Sequence, residues 1–134
     1  MAGDRHAREK RIAETAEMLG LADMLDLIAG SLPHGHQRML SIAIAFAARP
    51  RLLCLDEPLA GLNHTEMGAA LSVMQRIRDE FDTTILLVDH NMRAVMQICQ
   101  RIVVLNYGRK LAEGTPAEIR NNPDVIRAYL GDDA

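Results

Sequence analysis

Aromatic side chains are nearly missing from this sequence: Phe, Tyr and Trp together make up 3% of its 134 residues, and there is no Trp. A core built on stacked rings is excluded, so the interior must come from Leu, Ile, Val, Ala and the eight Met. Cysteine is scarce as well. Cys54 and Cys99 sit inside apolar segments and read as two buried, reduced thiols. No excess of positive charge exists: the formal net charge is -3 and the pI is near 5.9. That balance argues against a nucleic-acid partner, which would require a basic surface to replace counterions. Long apolar runs are lacking too, and the longest is far too short to span a bilayer. The stretch Met1 to Arg11 is polar and charged, unlike a secretory leader. A cytoplasmic location is expected, with any membrane link made through a partner.

What is present is the composition of a folded globular protein, 49% hydrophobic and 25% charged, with enough chain for one domain and a modest core. No internal repeat or low-complexity segment occurs. His6 to Leu19 is rich in Ala, Glu and Arg and predicts a helix closed by Gly20. Leu21, Met24, Leu25 and Ile28 follow the i, i+3, i+4, i+7 spacing of an apolar helical face. The run Gly30 to Gly35 breaks that pattern, and Met39, Ile42 and Phe46 restart it, predicting a helix from about His36 to Ala48.

Leu52-Leu53-Cys54-Leu55, bounded by Pro50 and Pro58, suits a strand covered on both faces, as in a parallel sheet. Asn63-His64-Thr65-Glu66 has the form of a capping box, and Met67, Leu71, Met74, Ile77 and Phe81 mark one face of the helix it opens. Thr83 to Val88 predicts a second buried strand and Asn91 to Gln100 a helix. Arg101 to Asn106 and Arg109 to Glu113 predict a hairpin around Asn106-Tyr107-Gly108, with Gly108 free to take positive φ. Thr115-Pro116-Ala117-Glu118 is a second capping box, with Pro at the first helical position. Asn122-Pro123 begins a last short helix, with Val125, Ile126, Tyr129 and Leu130 on its apolar side and Gly131 at its end. The alternation of strand and helix is that of an α/β protein.

Three features carry chemistry. The first strand ends in Asp56-Glu57-Pro58, which places two carboxylates at the carboxyl edge of the sheet, where open α/β sheets bind ligands. One carboxylate there can hold Mg²⁺, and the next can orient and deprotonate an attacking water. An acidic turn exposed to solvent is the simpler alternative. The second strand ends in Asp89-His90, and an imidazole at that edge can donate a hydrogen bond to a terminal phosphate or to the water. The third is Leu32-Pro33-His34-Gly35-His36-Gln37-Arg38, a turn that opens a helix, where free N–H groups and the helix dipole favour anions. The histidines His6, His34, His36 and His64 give a weak metal-site pattern, because the H-x-H pair lies in a helix-opening turn rather than on a strand.

Taken in order, these parts resemble the ATP-binding cassette family. Leu32 to Gln37 stands at the signature turn, Leu52 to Glu57 at the Walker B strand, Ala60 to Asn63 at the D-loop and His90 at the switch histidine. The tail, with Asn106-Tyr107-Gly108-Arg109-Lys110, Glu113-Gly114-Thr115-Pro116 and Val125 to Gly131, is similar to that of branched-chain amino acid importer cassettes. A lipopolysaccharide-export cassette is a close relative with a similar ending. The resemblance covers the chain from about Leu19 onward. It implies a partial phosphate-loop NTPase fold, a mostly parallel sheet flanked by helices with a C-terminal hairpin and short helices. The expected division is a helical lead-in over 1–31, half of a catalytic core over 32–105 and the importer tail over 106–134.

The resemblance also implies roles. Asp56 would hold the Mg²⁺ shell, Glu57 would be the general base, and His90 would sense the γ-phosphate of ATP. Pro33, His34, Gly35, His36 and Gln37 would line the turn that meets nucleotide on the opposite subunit. Asn63 would face a second ATP-binding subunit, in a homo- or heterodimer that works beneath transmembrane permease subunits at the cytoplasmic face of the inner membrane.

Two departures qualify this. The 134 residues contain no G-x-x-x-x-G-K-[ST] loop, which in the family wraps the phosphates, and no candidate for the glutamine loop or the adenine-stacking aromatic. The signature turn has Pro33 where the family usually has Ser and His36 where it has Gln, and Pro offers neither hydroxyl nor N–H. The expected function is that of the carboxy-terminal half of an ATP-hydrolysing importer subunit, inactive alone. The alternative is a non-catalytic module that pairs with an intact cassette. In the family's sheet, the strand feeding the phosphate loop lies between those matching Thr83–Val88 and Ile102–Asn106, so the isolated chain is expected to be marginal.

Overall fold

The computed structural model describes residues 2–130, and the predicted stop at Gly131 lies outside them. The described residues fall into two compact units, one ending at His90 and the other beginning at Asn91.

The first unit begins with α1 (Ala2–Met18), a helix predicted to start at His6. From Gly3 to Glu14 it is exposed, laced by pairs one turn apart such as Arg5–Glu9 at 2.9 Å. Exposed pairs of this kind contribute little, and α1 is anchored instead by its last turn, where Thr15, Ala16 and Leu19 are buried. The predicted apolar face of Leu21, Met24, Leu25 and Ile28 is not a helix. Only a single 3₁₀ turn, Ala22–Met24, forms there; Leu21 is buried, while Leu25 and Ile28 are exposed. The segment closes instead into successive tight turns, with Leu27 N–H donating to the Met24 carbonyl at 3.1 Å and Ser31 N–H to the Ile28 carbonyl at 2.9 Å.

α2 (His34–Ala47) starts two residues earlier than the spacing indicated, with Pro33 at its N-cap and no side-chain cap. It buries Ile42, Ala43 and Phe46. At its end Arg49 takes a left-handed φ of 51°, and its guanidinium lies 4.3 Å from the Phe46 ring and 4.9 Å from that of Phe81. The two rings meet edge to face at 5.0 Å. This cation sandwiched between two of the few aromatics donates to Thr15 Oγ1 at 3.0 Å and so ties α1 to the base of α2. Burial pulls the Arg49 pKa down against the opposing pull of Glu14.

β1 (Leu52–Asp56) and β2 (Thr84–Val88) pair in parallel, in register from Leu52 with Thr84 to Asp56 with Val88. α3 (His64–Phe81) crosses between them and buries Leu71, Met74 and Ile77 of the predicted face together with Ala70 and Val73, while Met67 is half-buried and Phe81 exposed at the helix end. α2 packs on β1 and α3 on β2.

The expectation that both strands are covered on both faces is not met. Leu53 and Leu55 point into the core, but Leu52, Leu86 and Val88 are more than half exposed and Cys54 is exposed with them. Helices cover one face of this sheet, so alternation along each strand leaves every second apolar residue in water. Cys54 is therefore a free, exposed thiol rather than a buried one, and Cys99 is only partly covered.

The second unit holds α4 (Met92–Ile98), capped by Asn91 and shorter than the predicted 91–100. β3 (Ile102–Asn106) and β4 (Arg109–Gly114) form the predicted antiparallel hairpin, with a register shift between Val104 and Leu105. Tyr107 and Gly108 have φ of 47° and 73°, the pair of positive values that suits a two-residue hairpin loop. Arg101 and Lys110 converge on Glu113 and hold its carboxyl below the usual carboxylate range, chiefly through the Lys110 hydrogen bond. α5 (Pro116–Arg120) has the predicted capping box of Thr115 and Glu118, and α6 (Pro123–Val125) follows the Asn122 cap and runs into a wide turn over Ile126–Leu130. Ile119 and Val125 are the buried anchors of this region, and the Tyr129 hydroxyl donates to the Leu105 carbonyl.

These burials separate two kinds of apolar residue. Met74→Ala, at a side chain with no exposure, is expected to cost about 2–5 kcal/mol in denaturant unfolding. Leu86→Thr on the bare face is expected to leave the unfolding midpoint nearly unchanged while reducing concentration-dependent self-association in sedimentation.

Candidate functional site

Everything at the candidate site derives from how β1 ends. Past Asp56 the chain does not continue as strand. Glu57 adopts a left-handed φ of 46°, and its N–H donates to the Val88 carbonyl at 2.7 Å. A non-glycine residue in that region carries strain of roughly 1–3 kcal/mol, and such strain persists where neighbours over-determine the conformation. Here they do: Pro58 and Leu59 are buried immediately afterwards, and the Val88 carbonyl is the last acceptor of β2. The bond locks the ends of the two parallel strands together, so residues just beyond them share one rim.

On that rim stand three of the groups singled out by sequence. Asp56 is the exposed last residue of β1. The Glu57 carboxylate lies 3.4 Å from His90 Nδ1, with both side chains largely in solvent. At that separation the contact is looser than an ordinary hydrogen bond, and exposure makes it worth little to stability. Its value is positional: a carboxylate and an imidazole are side by side, next to a second carboxylate, with open access. A carboxylate of this kind can take a proton from water, and an adjacent ring N–H can donate to a developing oxyanion. Asp56 supplies an exposed oxygen donor of the kind hard cations such as Mg²⁺ prefer.

The chain leaves the rim through a tight turn. Ala60 N–H donates to the Glu57 carbonyl at 3.2 Å and Leu62 N–H to the Leu59 carbonyl at 3.2 Å. Asn63 then caps α3 as predicted: its side chain accepts from Glu66 N–H at 2.9 Å, and Glu66 returns a carboxylate to Asn63 N–H at 3.0 Å.

The residues of the other predicted cluster divide. Pro33 caps α2 without a side-chain bond. His34 Nε2 reaches the Ala60 carbonyl at 3.2 Å, so this turn and the Asn63 loop come together. Gly35 is buried. His36 is half-buried, with Nδ1 lacking a hydrogen-bond partner. Gln37 donates its amide to the Leu32 carbonyl at 2.8 Å and braces the approach to α2. Glu66 was legible only as half of a capping box; its carboxylate also lies over Gly35, and no sequence signal marks that contact.

The chain is similar to known proteins. A model described as "ABC transporter" matches residues 2–60, and one described as "Branched-chain amino acid ATP-binding cassette transporter" matches residues 109–134. The chain is 47% identical to the high-affinity branched-chain amino acid transport ATP-binding protein BraF of Pseudomonas aeruginosa, over 90% of this chain and 47% of that protein. It is 48% identical to the corresponding LivG of Escherichia coli, over 91% of this chain and 48% of that protein. It is 35% identical to the lipopolysaccharide export ATP-binding protein LptB of Escherichia coli, over 94% of this chain and 52% of that protein. Among solved structures, the ADP conformation of an ATP-binding cassette of an ABC transporter superposes with a TM-score of 0.82 at 22% identity, over 94% of this chain and 51% of that one. The cbiO1 protein of Clostridium perfringens gives 0.78 at 27% identity, over 90% and 48%. The chain thus spans about half the length of the relatives it matches.

The cap at the end of this turn is directly testable. Asn63→Ala should lower unfolding stability by about 1 kcal/mol, and Asn63→Asp or Asn63→Ser should recover most of it. Equal stability of Asn63→Ala and wild type would show that the capping box does not form.

Proposed function

The chain belongs to the ATP-binding cassette family, and from that premise we propose that it is the water-activating portion of an ATP-hydrolysing importer subunit for branched-chain amino acids. The observation that carries this reading is the Glu57–His90 pair at 3.4 Å, beside Asp56 on one sheet rim. Glu57 acts as general base on the attacking water, held outward by its left-handed backbone. His90 donates to the terminal phosphate region and keeps the Glu57 carboxylate oriented. Asp56, an exposed carboxylate on the rim, would hold the Mg²⁺ that accompanies ATP, and that cation would neutralise charge on the phosphates. The turn at Gly35 presents N–H groups of α2 to nucleotide on a second ATP-binding subunit, and Asn63 lies in the loop facing that subunit.

The grip on the triphosphate comes from outside these 134 residues, because none of them forms a phosphate loop. The bare faces of β1 and β2, with Leu52, Leu86 and Val88, are suited to being covered by the polypeptide that carries it. Among the described residues no helix is long and apolar enough to cross a membrane. On the proposed reading the subunit works with permease subunits at the cytoplasmic face.

A second reading has its own support. Pro33 leaves α2 without a side-chain cap, and the Gln37 amide is spent on the Leu32 carbonyl, so the turn offers fewer groups to nucleotide. On that reading the chain pairs with an intact cassette without turning over ATP.

The two are separated by reconstitution. Supplied with a polypeptide carrying a family phosphate loop and its strand, the chain should hydrolyse Mg-ATP, and Glu57→Gln should lower kcat by about 10²–10⁴. Equal rates for wild type and Glu57→Gln would refute the assignment of Glu57. Stable association with an intact cassette and no added hydrolysis would favour the second reading.

A further inference from the structure

We infer that His34 and Glu66 fasten the first turn of α2 to the loop between β1 and α3, which makes His34 a positioning residue for Asn63. This deepens the reading above and rests on it only for its consequence at the nucleotide. Two crossing points carry it. At the first, His34 Nε2 lies 3.2 Å from the Ala60 carbonyl, and since a carbonyl only accepts, the ring donates. The next residue, Gly61, has a φ of 76°, and a Cβ built there would fall 2.7 Å from His34 Nε2. The imidazole therefore occupies the space that a side chain at 61 would need.

At the second crossing, a Cβ on buried Gly35 would stand 2.6 Å from Glu66 Oε1. The same carboxylate accepts from Asn63 N–H at 3.0 Å through its other oxygen. Glu66 is thus pressed against the α2 turn on one side and holds Asn63 on the other. The loop is bonded to the α2 turn at Ala60, and the Glu66 carboxylate that holds Asn63 abuts the next residue of that turn, Gly35. A shift of the α2 turn, such as an anion bound at Gly35 would impose, is handed to Asn63 without passing through the core. Glycine at 35 and at 61 is what permits both contacts, and the histidine at 34 supplies a donor that reaches across the chain.

The test is amide hydrogen exchange, read by NMR on the full chain, for wild type, His34→Ala, His34→Phe and His34→Gln. His34 is exposed, so these variants retain the fold. His34→Ala and His34→Phe should speed exchange at Ala60, Leu62 and Asn63 by about fivefold, the worth of one lost hydrogen bond. His34→Gln, which keeps a donor, should restore protection, and amides in the middle of α3 should not change. Unchanged exchange in His34→Ala would overturn the inference. So would full protection in His34→Phe, which would reduce the contact to ring packing. The experiment contains no nucleotide. A failure of the hydrolysis reading therefore leaves its result standing, and a failure here leaves the role of Glu57 untouched.

Discussion

One backbone hydrogen bond organises the site: Glu57 N–H to the Val88 carbonyl, 2.7 Å, made possible by a left-handed residue at the end of β1. Parallel pairing alone brings Asp56 level with Val88. The extra bond carries the pairing one residue past the strand and turns the chain sharply, so that the Glu57 carboxylate and the His90 ring emerge together. Without the strained φ the chain would run on as strand, and Glu57 would alternate to a face instead of standing at the edge. The energetic cost is modest and is offset within the turn itself, which buries Pro58 and Leu59 and delivers Asn63 to its cap. Site geometry and helix initiation are consequences of the same kink.

The sheet bearing this rim is finished on one side only. Phe46, Met74 and Ile77 are sealed beneath it, while Leu52, Cys54, Leu86 and Val88 face outward. Within the second unit Val103 and Leu105 of β3 are likewise exposed beside the buried Ile102 and Val104. Apolar runs in sequence are the mark of strands covered on both faces, and here each strand keeps the composition while showing half the cover. The relatives with which this chain aligns are about twice as long.

Local chemistry was the most legible part of the sequence. Both capping boxes, the hairpin turn at Tyr107-Gly108 and the strand-end acids occur where the residue types place them, because each depends on a few adjacent groups. The juxtaposition of Glu57 with His90 was inferable from two strands ending alike. Errors arose where a distant partner decides the outcome. The Leu21–Ile28 spacing fits a helix, yet the segment folds into a 3₁₀ turn that leaves Leu25 and Ile28 exposed. Cys54 lies in an apolar run, and its exposure depends on which face the helices cover. Glu66 over Gly35 joins residues far apart in sequence and leaves no local trace.

The chemistry assigned to Glu57 requires the rim to be assembled in solution, and a nuclear Overhauser measurement on the full chain tests that most directly. With His90 Nδ1 at 3.4 Å from Glu57 Oε1, the ring Hε1 of His90 should show cross-peaks to the Glu57 side-chain methylene protons. It should not show them to side chains of α1. A well-dispersed spectrum in which His90 lacks any contact with Glu57 would contradict the central claim, since the carboxylate and the imidazole would then have no common site.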